Sequence, residues 1–162
     1  MMKEIVRNLY IGSQDDYEYR VKKEPGWRVI HACKEPYHWE ALGYKSLGAP
    51  KESPECFFAY RGSDLILNLV DVANPQYIPK QIIEEAIQFI DKHISESKIL
   101  VHCNQGQSRS AVIGLLYLHH IGEISTRNFL QAEIEYSKYY PMYKPNNGMR
   151  MFAAENWDNY GV

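Results

Sequence analysis

The chain has 162 residues, 45% of them hydrophobic, and a formal net charge of −2 at pH 7. That length buries one substantial core and is too short for two comfortable domains, so a single domain over 1–162 is expected. The charge balance offers no basic field for nucleic acid or an anionic membrane, and any cationic site must be local.

In chain order, the opening MMKEIVRNLY lacks the apolar core of a signal peptide, and no segment approaches the roughly 18 apolar residues of a membrane span. A cytoplasmic protein is expected. A first strand is predicted over EIVRNLYIG (4–12) and a second over WRVIHAC (27–33). Region 34–64, with many aromatics, Pro-bearing turns and little periodicity, reads as loop with short elements. LILNLV (65–70) and KILVHC (98–103) read as buried strands. Between them, Ile82, Ile83, Ala86, Ile87, Ile90 and Ile94 at helical spacing predict a crossover helix over 78–94, hence adjacent parallel strands. Three helices follow, at 109–121, at 126–140 capped by Ser125, and at about 147–158. Strands alternating with helices predict an α/β fold, with a central, mostly parallel sheet of four to five strands flanked by helices. Cys33, Cys56 and Cys103 are odd in number and irregularly spaced, which argues against a disulfide framework.

The chemistry concentrates after strand 98–103. Ligands in open α/β sheets bind beyond the carboxyl ends of parallel strands, where Cys103 and Asp71 would both lie. The loop NQGQSR (104–109) runs straight into a helix, so its backbone N–H groups can curl into a nest with the helix's positive end behind them. Gly106 permits the curl, and Arg109 offers a bidentate fork to two oxygens of a phosphate. A thiol at a helix N-terminus beside a guanidinium has its thiolate favoured, which makes Cys103 a candidate nucleophile toward the anion held there. Asp71 is the candidate proton donor to the leaving oxygen; Asp64 precedes its strand and is assigned to the opposite edge. Cys33 would approach Cys103 if its strand is parallel, which would permit a disulfide under oxidation. His31 with Cys33, and His119 with His120, give no complete ligand set, so no metal is expected.

VHCNQGQSRSA (101–111) resembles the His-Cys-x5-Arg-Ser/Thr loop of the cysteine-dependent protein phosphatases, the dual-specificity phosphatases most of all. NLYIGSQDD (8–16) is similar to that family's first strand and turn, and YPMYKPNNGM (140–149) to its Pro-x-x-x-Pro-Asn-x-Gly segment. The resemblance implies a phosphatase fold and hydrolysis of phosphomonoesters through a cysteinyl-phosphate. It implies roles for Cys103 as nucleophile, Arg109 as phosphate-binding arginine, and Asn104, Gln105, Gly106, Gln107 and Ser108 as the phosphate loop. Ser110 would stabilise the departing thiolate, Asp71 would be the general acid, His102 would support the loop and help tune the thiol, and Asn146 would brace the loop.

These readings imply no cofactor, a phosphorylated protein or peptide as substrate, a phosphate or sulfate anion in the loop, and a monomer. The competing classes are a phospho-binding pseudophosphatase, a lipid or nucleotide phosphatase, and a cysteine-based arsenate reductase. Neutral Asn104, Gln105 and Gln107 disfavour a polyphosphorylated lipid head group. Aromatic walls are expected from 34–45 and 72–77, through Tyr37, His38, Trp39, Tyr44 and Tyr77.

Overall fold

A computed structural model describes residues 1–44 and 48–162. Its six strands are β1 (Lys3–Val6), β2 (Leu9–Ser13), β3 (Trp27–His31), β4 (Phe58–Arg61), β5 (Asp64–Leu67) and β6 (Lys98–Cys103), in the spatial order β1-β2-β6-β3-β5-β4. The four central strands are parallel, and β1 and β4 pair antiparallel at the two edges.

Both edges are hairpins that the hydrophobic pattern hides, which raises the expected four to five strands to six. The single strand predicted over 4–12 is two, because Asn8 takes a left-handed φ of 71° and reverses the chain between Val6 and Leu9. Asparagine tolerates that region better than most residues. At the other edge, Gly62 (φ 59°) turns the chain between Arg61 and Asp64 and creates β4 within the region expected to be loop. Residues 45–47 of that region lie outside the described residues.

The crossover unit forms as β5, α3 (Lys80–His93) and β6, but β5 and β6 are not neighbours. β3 lies between them, paired parallel with both. Its Val29, Ile30 and His31 are buried, as a central strand with both faces covered requires.

The remaining helices are α1 (Gln14–Tyr19), α2 (Trp39–Leu42), α4 (Arg109–His120), α5 (Phe129–Tyr139), α6 (Asn147–Glu155) and α7 (Trp157–Tyr160). α5 starts later than expected because Asn128, not Ser125, caps it, its side chain accepting from the Gln131 N–H. The helix expected over 147–158 divides at Asn156. Among the described residues no helix is long and apolar enough to cross a membrane.

Period-2 alternation sorts each central strand between two layers. Ile99 and Val101 of β6, Ile30 of β3, and Leu65 and Leu67 of β5 pack into the main core with α3 and α4. Leu100 and Val29 face the opposite layer, with Met2 and Val21. α4 is buried nearly all round, residues 109–119 without exception, so it is the central pillar on which the site rests.

Candidate active site

The carboxyl ends of the parallel strands meet at one edge. Ser13 and Cys103 end β2 and β6 in register, the Ala32 N–H donates to the His102 carbonyl (2.8 Å), and the Lys34 N–H donates to the Leu69 carbonyl (3.0 Å). These bonds bring the segments after β2, β3, β5 and β6 around Cys103. A cavity of about 280 Å³ opens there, lined by Asp71, Cys103, Asn104, Gln105, Gln107, Ser108, Arg109, Lys144 and Asn146.

Its floor is the loop Asn104–Ser108. Gly106 has φ 75°, and a Cβ built on it would lie 2.9 Å from the Gly12 carbonyl carbon and oxygen, so β2 fixes how tightly the loop curls. From the far side the Tyr140 hydroxyl donates to the Gly106 carbonyl (2.5 Å). Cys103 is 2% exposed. Its Sγ lies 3.2 Å from Ser110 Oγ, and the Ser110 hydroxyl is also within donating distance of the Gly12 carbonyl (3.1 Å). One hydroxyl hydrogen serves both acceptors, so it is free to turn to sulfur when the sulfur is anionic.

Arg109 is aimed from the first turn of α4. Its Nη1 donates to the Leu69 carbonyl (3.0 Å) and its Nη2 to Asn104 Oδ1 (2.5 Å), while the buried Nε has no partner among the described residues. A buried guanidinium donor left unpaired is costly, and Arg109 lines the cavity in which an anion would meet its charge. Asn104 is itself held by Gln14 Oε1 (2.8 Å) and the Glu35 carbonyl (3.1 Å), to which its Nδ2 donates.

Asp71 follows β5 by a loop, since that strand ends at Leu67 rather than at residue 70 and is not the neighbour of β6. Its carboxylate nevertheless lines the cavity. It accepts from Ser108 Oγ (3.0 Å) and Asn146 Nδ2 (2.9 Å), and the Asn146 N–H donates to Ser108 Oγ (2.9 Å). One polar triangle thus ties three distant segments together. Gly148 allows α6 to approach this corner: a Cβ there would lie 1.9 Å from the Val72 carbonyl oxygen. Gly148→Ala is therefore expected to destabilise the fold by roughly 1–3 kcal/mol and to displace Asp71. A thermal melt with parallel kinetics checks this, with turnover falling while alkylation of Cys103 is unchanged.

His102 points away from the cavity into the α1 layer, where its Nε2 meets His31 Nδ1 at 2.7 Å. Burial, the facing His31 and the Arg109 charge hold its pKa well below the usual imidazole range. The expected aromatic walls do not form. Tyr37 is buried and stacks on His31, His38 is buried between Tyr44 and the Glu55 carbonyl, and Tyr77 is 75% exposed. Trp39 and Tyr44 line a separate cavity with Pro36, while Lys45 lies outside the described residues. The walls are polar instead because Tyr37 and His38 are consumed by packing and hydrogen bonding beneath the site.

Cys33 and Cys103 are free thiols in one buried cluster, and burial pushes the Cys33 pKa far up. Sequence reasoning gave Lys144 and Tyr140 no role of their own, weighed His31 only as a metal ligand, and set Asp64 aside as lying at the opposite edge. Lys144 is placed by its backbone, which donates to the Gln107 carbonyl (2.9 Å), and its signal was its place inside YKPNNGM.

The family model for the dual specificity phosphatase catalytic domain matches residues 47–151. Solved structures share the fold over nearly the whole chain. The human tyrosine phosphatase-like serine/threonine/tyrosine-interacting protein is 22% identical with a TM-score of 0.68, covering 98% of this chain and 97% of that one. The Yvh1 phosphatase domain from Chaetomium thermophilum is 16% identical, with a TM-score of 0.65 and coverage of 98% and 96%. PTPMT1, solved in complex with PI(5)P, is 17% identical, with a TM-score of 0.63 and coverage of 98% and 96%. No curated protein sequence matches the chain.

Proposed function

Because the chain belongs to the dual specificity phosphatase catalytic-domain family, we propose that it hydrolyses phosphomonoesters on proteins, phosphotyrosine foremost, through a cysteinyl-phosphate. The observation that carries this reading is that Cys103 and Arg109 line one cavity, with Ser110 Oγ buried 3.2 Å from Cys103 Sγ.

The Cys103 thiolate attacks phosphorus while the ester oxygen departs, taking a proton from Asp71. The loop N–H groups and Arg109 neutralise charge on the three remaining oxygens. Water then attacks the cysteinyl-phosphate, Asp71 takes its proton, and the thiolate leaves onto the Ser110 hydroxyl. His102 and Asn146 act on the loop and on Asp71, from behind and from the side.

A recessed thiol favours phosphotyrosine, whose phosphate stands farther from its peptide backbone than that of phosphoserine or phosphothreonine. Lys144 adds one cation at the rim, whereas the loop side chains Asn104, Gln105 and Gln107 stay neutral. That balance suits a single phosphate near acidic peptide residues better than a polyphosphorylated head group. The test is hydrolysis of p-nitrophenyl phosphate and a phosphotyrosine peptide in the presence of a chelator. Turnover blocked by vanadate is expected. A wild-type protein that binds the peptide and releases no phosphate would instead be a phospho-binding module.

A further inference from the structure

We propose that His31 and Asp64 are positioning residues for the thiol, forming with His102 a line, buried at the two imidazoles, that keeps one extra proton behind Cys103. This rests on the phosphatase reading only in taking Cys103 as the nucleophile.

The line has three contacts. His102 Nδ1 faces the Cys103 carbonyl (3.3 Å), His102 Nε2 faces His31 Nδ1 (2.7 Å), and His31 Nε2 faces Asp64 Oδ2 (3.0 Å). The register of the parallel strands puts His31 beside His102, and alternation puts Asp64 on the same face two residues before Ile66, the partner of His31 in β5. Each contact needs one hydrogen. A carbonyl and a carboxylate only accept, and two neutral imidazoles carry one ring hydrogen each, so neutral rings fill two contacts of three. All three are made when the pair carries three hydrogens, that is, one imidazolium balanced by the Asp64 carboxylate.

Among the described residues, Asp64 is the one carboxylate in hydrogen-bond contact with either imidazole. Tyr17 of α1 stacks on His102 (5.1 Å) and meets His31 edge-on (4.7 Å), and Tyr37 stacks on His31 (4.6 Å). Burial raises the pKa of both phenols and of the Cys33 thiol, so these groups stay neutral. The Tyr37 hydroxyl donates outward to Glu18 (2.9 Å), and the Arg109 guanidinium disfavours charge on His102. The extra proton therefore belongs on His31, against Asp64. It stands one imidazole nearer the thiol than the carboxylate that balances it, so the net field of the line favours thiolate.

Asp64→Asn separates this role from a purely structural one. An asparagine amide donates to His31 Nε2, His31 Nδ1–H then donates to His102, and His102 Nδ1–H donates to the Cys103 carbonyl. Every contact survives with neutral rings, and only the proton is lost.

The experiment follows iodoacetamide alkylation of Cys103 by peptide mass spectrometry from about pH 5 to 8, which requires no turnover and resolves Cys103 from Cys33 and Cys56. On the acidic side the Asp64→Asn rate is expected to fall roughly 3–10-fold, a partial loss of the field that a neighbouring charge exerts on an ionisable group, and to rejoin wild type at high pH. His31→Gln, which loses the cation and keeps the anion, is expected to fall further. An Asp64→Asn rate equal to or above wild type overturns the proposal, because a merely structural Asp64 removes only a negative charge. If His31→Gln does not fold, Asp64→Asn alone decides. A wild type inert toward phosphate esters would sink the phosphatase reading and leave this result standing.

Discussion

Replacing Cys103 with serine is expected to lower turnover of p-nitrophenyl phosphate by on the order of 10⁴-fold or more, as removal of a nucleophile does in other covalent enzymes. The loop's amides, the start of α4 and Arg109 all stabilise an anion at position 103, which suffices for a thiol but not for a far less acidic hydroxyl. The exchange is close to isosteric, and Ser110 Oγ, 3.2 Å from Sγ, would accept the new hydroxyl as a partner. Thermal stability and phosphopeptide affinity are therefore expected to persist while chemistry stops. Activity within tenfold of wild type would remove Cys103 from the mechanism.

Asp71→Asn is expected to lower kcat by about 10²–10⁴-fold, the usual contribution of a positioned proton donor. The loss should be smallest for p-nitrophenyl phosphate, whose phenolate leaves readily, and largest for phosphothreonine peptides, whose alkoxide leaves poorly unless protonated. The descending limb of the pH profile at high pH should vanish with the acid that produces it. The carboxylate accepts from Ser108 Oγ and Asn146 Nδ2, which aim it into the cavity. An asparagine keeps one acceptor for these donors, so the loss falls mainly on proton transfer. A pH–rate comparison with equal losses on both substrates and an intact limb would exclude Asp71 as the acid.

Much of this site was legible because it is local. Cys103, the loop and Arg109 lie within seven consecutive residues, 103–109, where a strand, a glycine-bearing turn and a helix start follow one another. What was not legible depends on strand order. Placing β3 between β5 and β6 brings His31 beside His102, and no periodicity in either segment reports that pairing. Asp64 sits at the start of its strand, as its position before a hydrophobic run requires, yet its side chain reaches inward to His31. The two edge hairpins were hidden because their turns are short and one rests on a non-glycine residue, Asn8, at positive φ. The aromatic-rich stretch before residue 45 misled for the opposite reason: hydrophobicity marks what is buried, and Tyr37 and His38 are buried under the site rather than around it.

The central claim is that phosphate passes through sulfur. The most direct measurement is acid quench of the Asp71→Asn protein during reaction with p-nitrophenyl phosphate, followed by mass spectrometry of the peptide containing Cys103. The leaving group departs without the acid, whereas hydrolysis of the intermediate is slowed, so a phosphate adduct on Cys103 is expected to accumulate and to disappear in Cys103→Ser. Release of p-nitrophenol over many turnovers with Cys103 unmodified throughout would contradict the account.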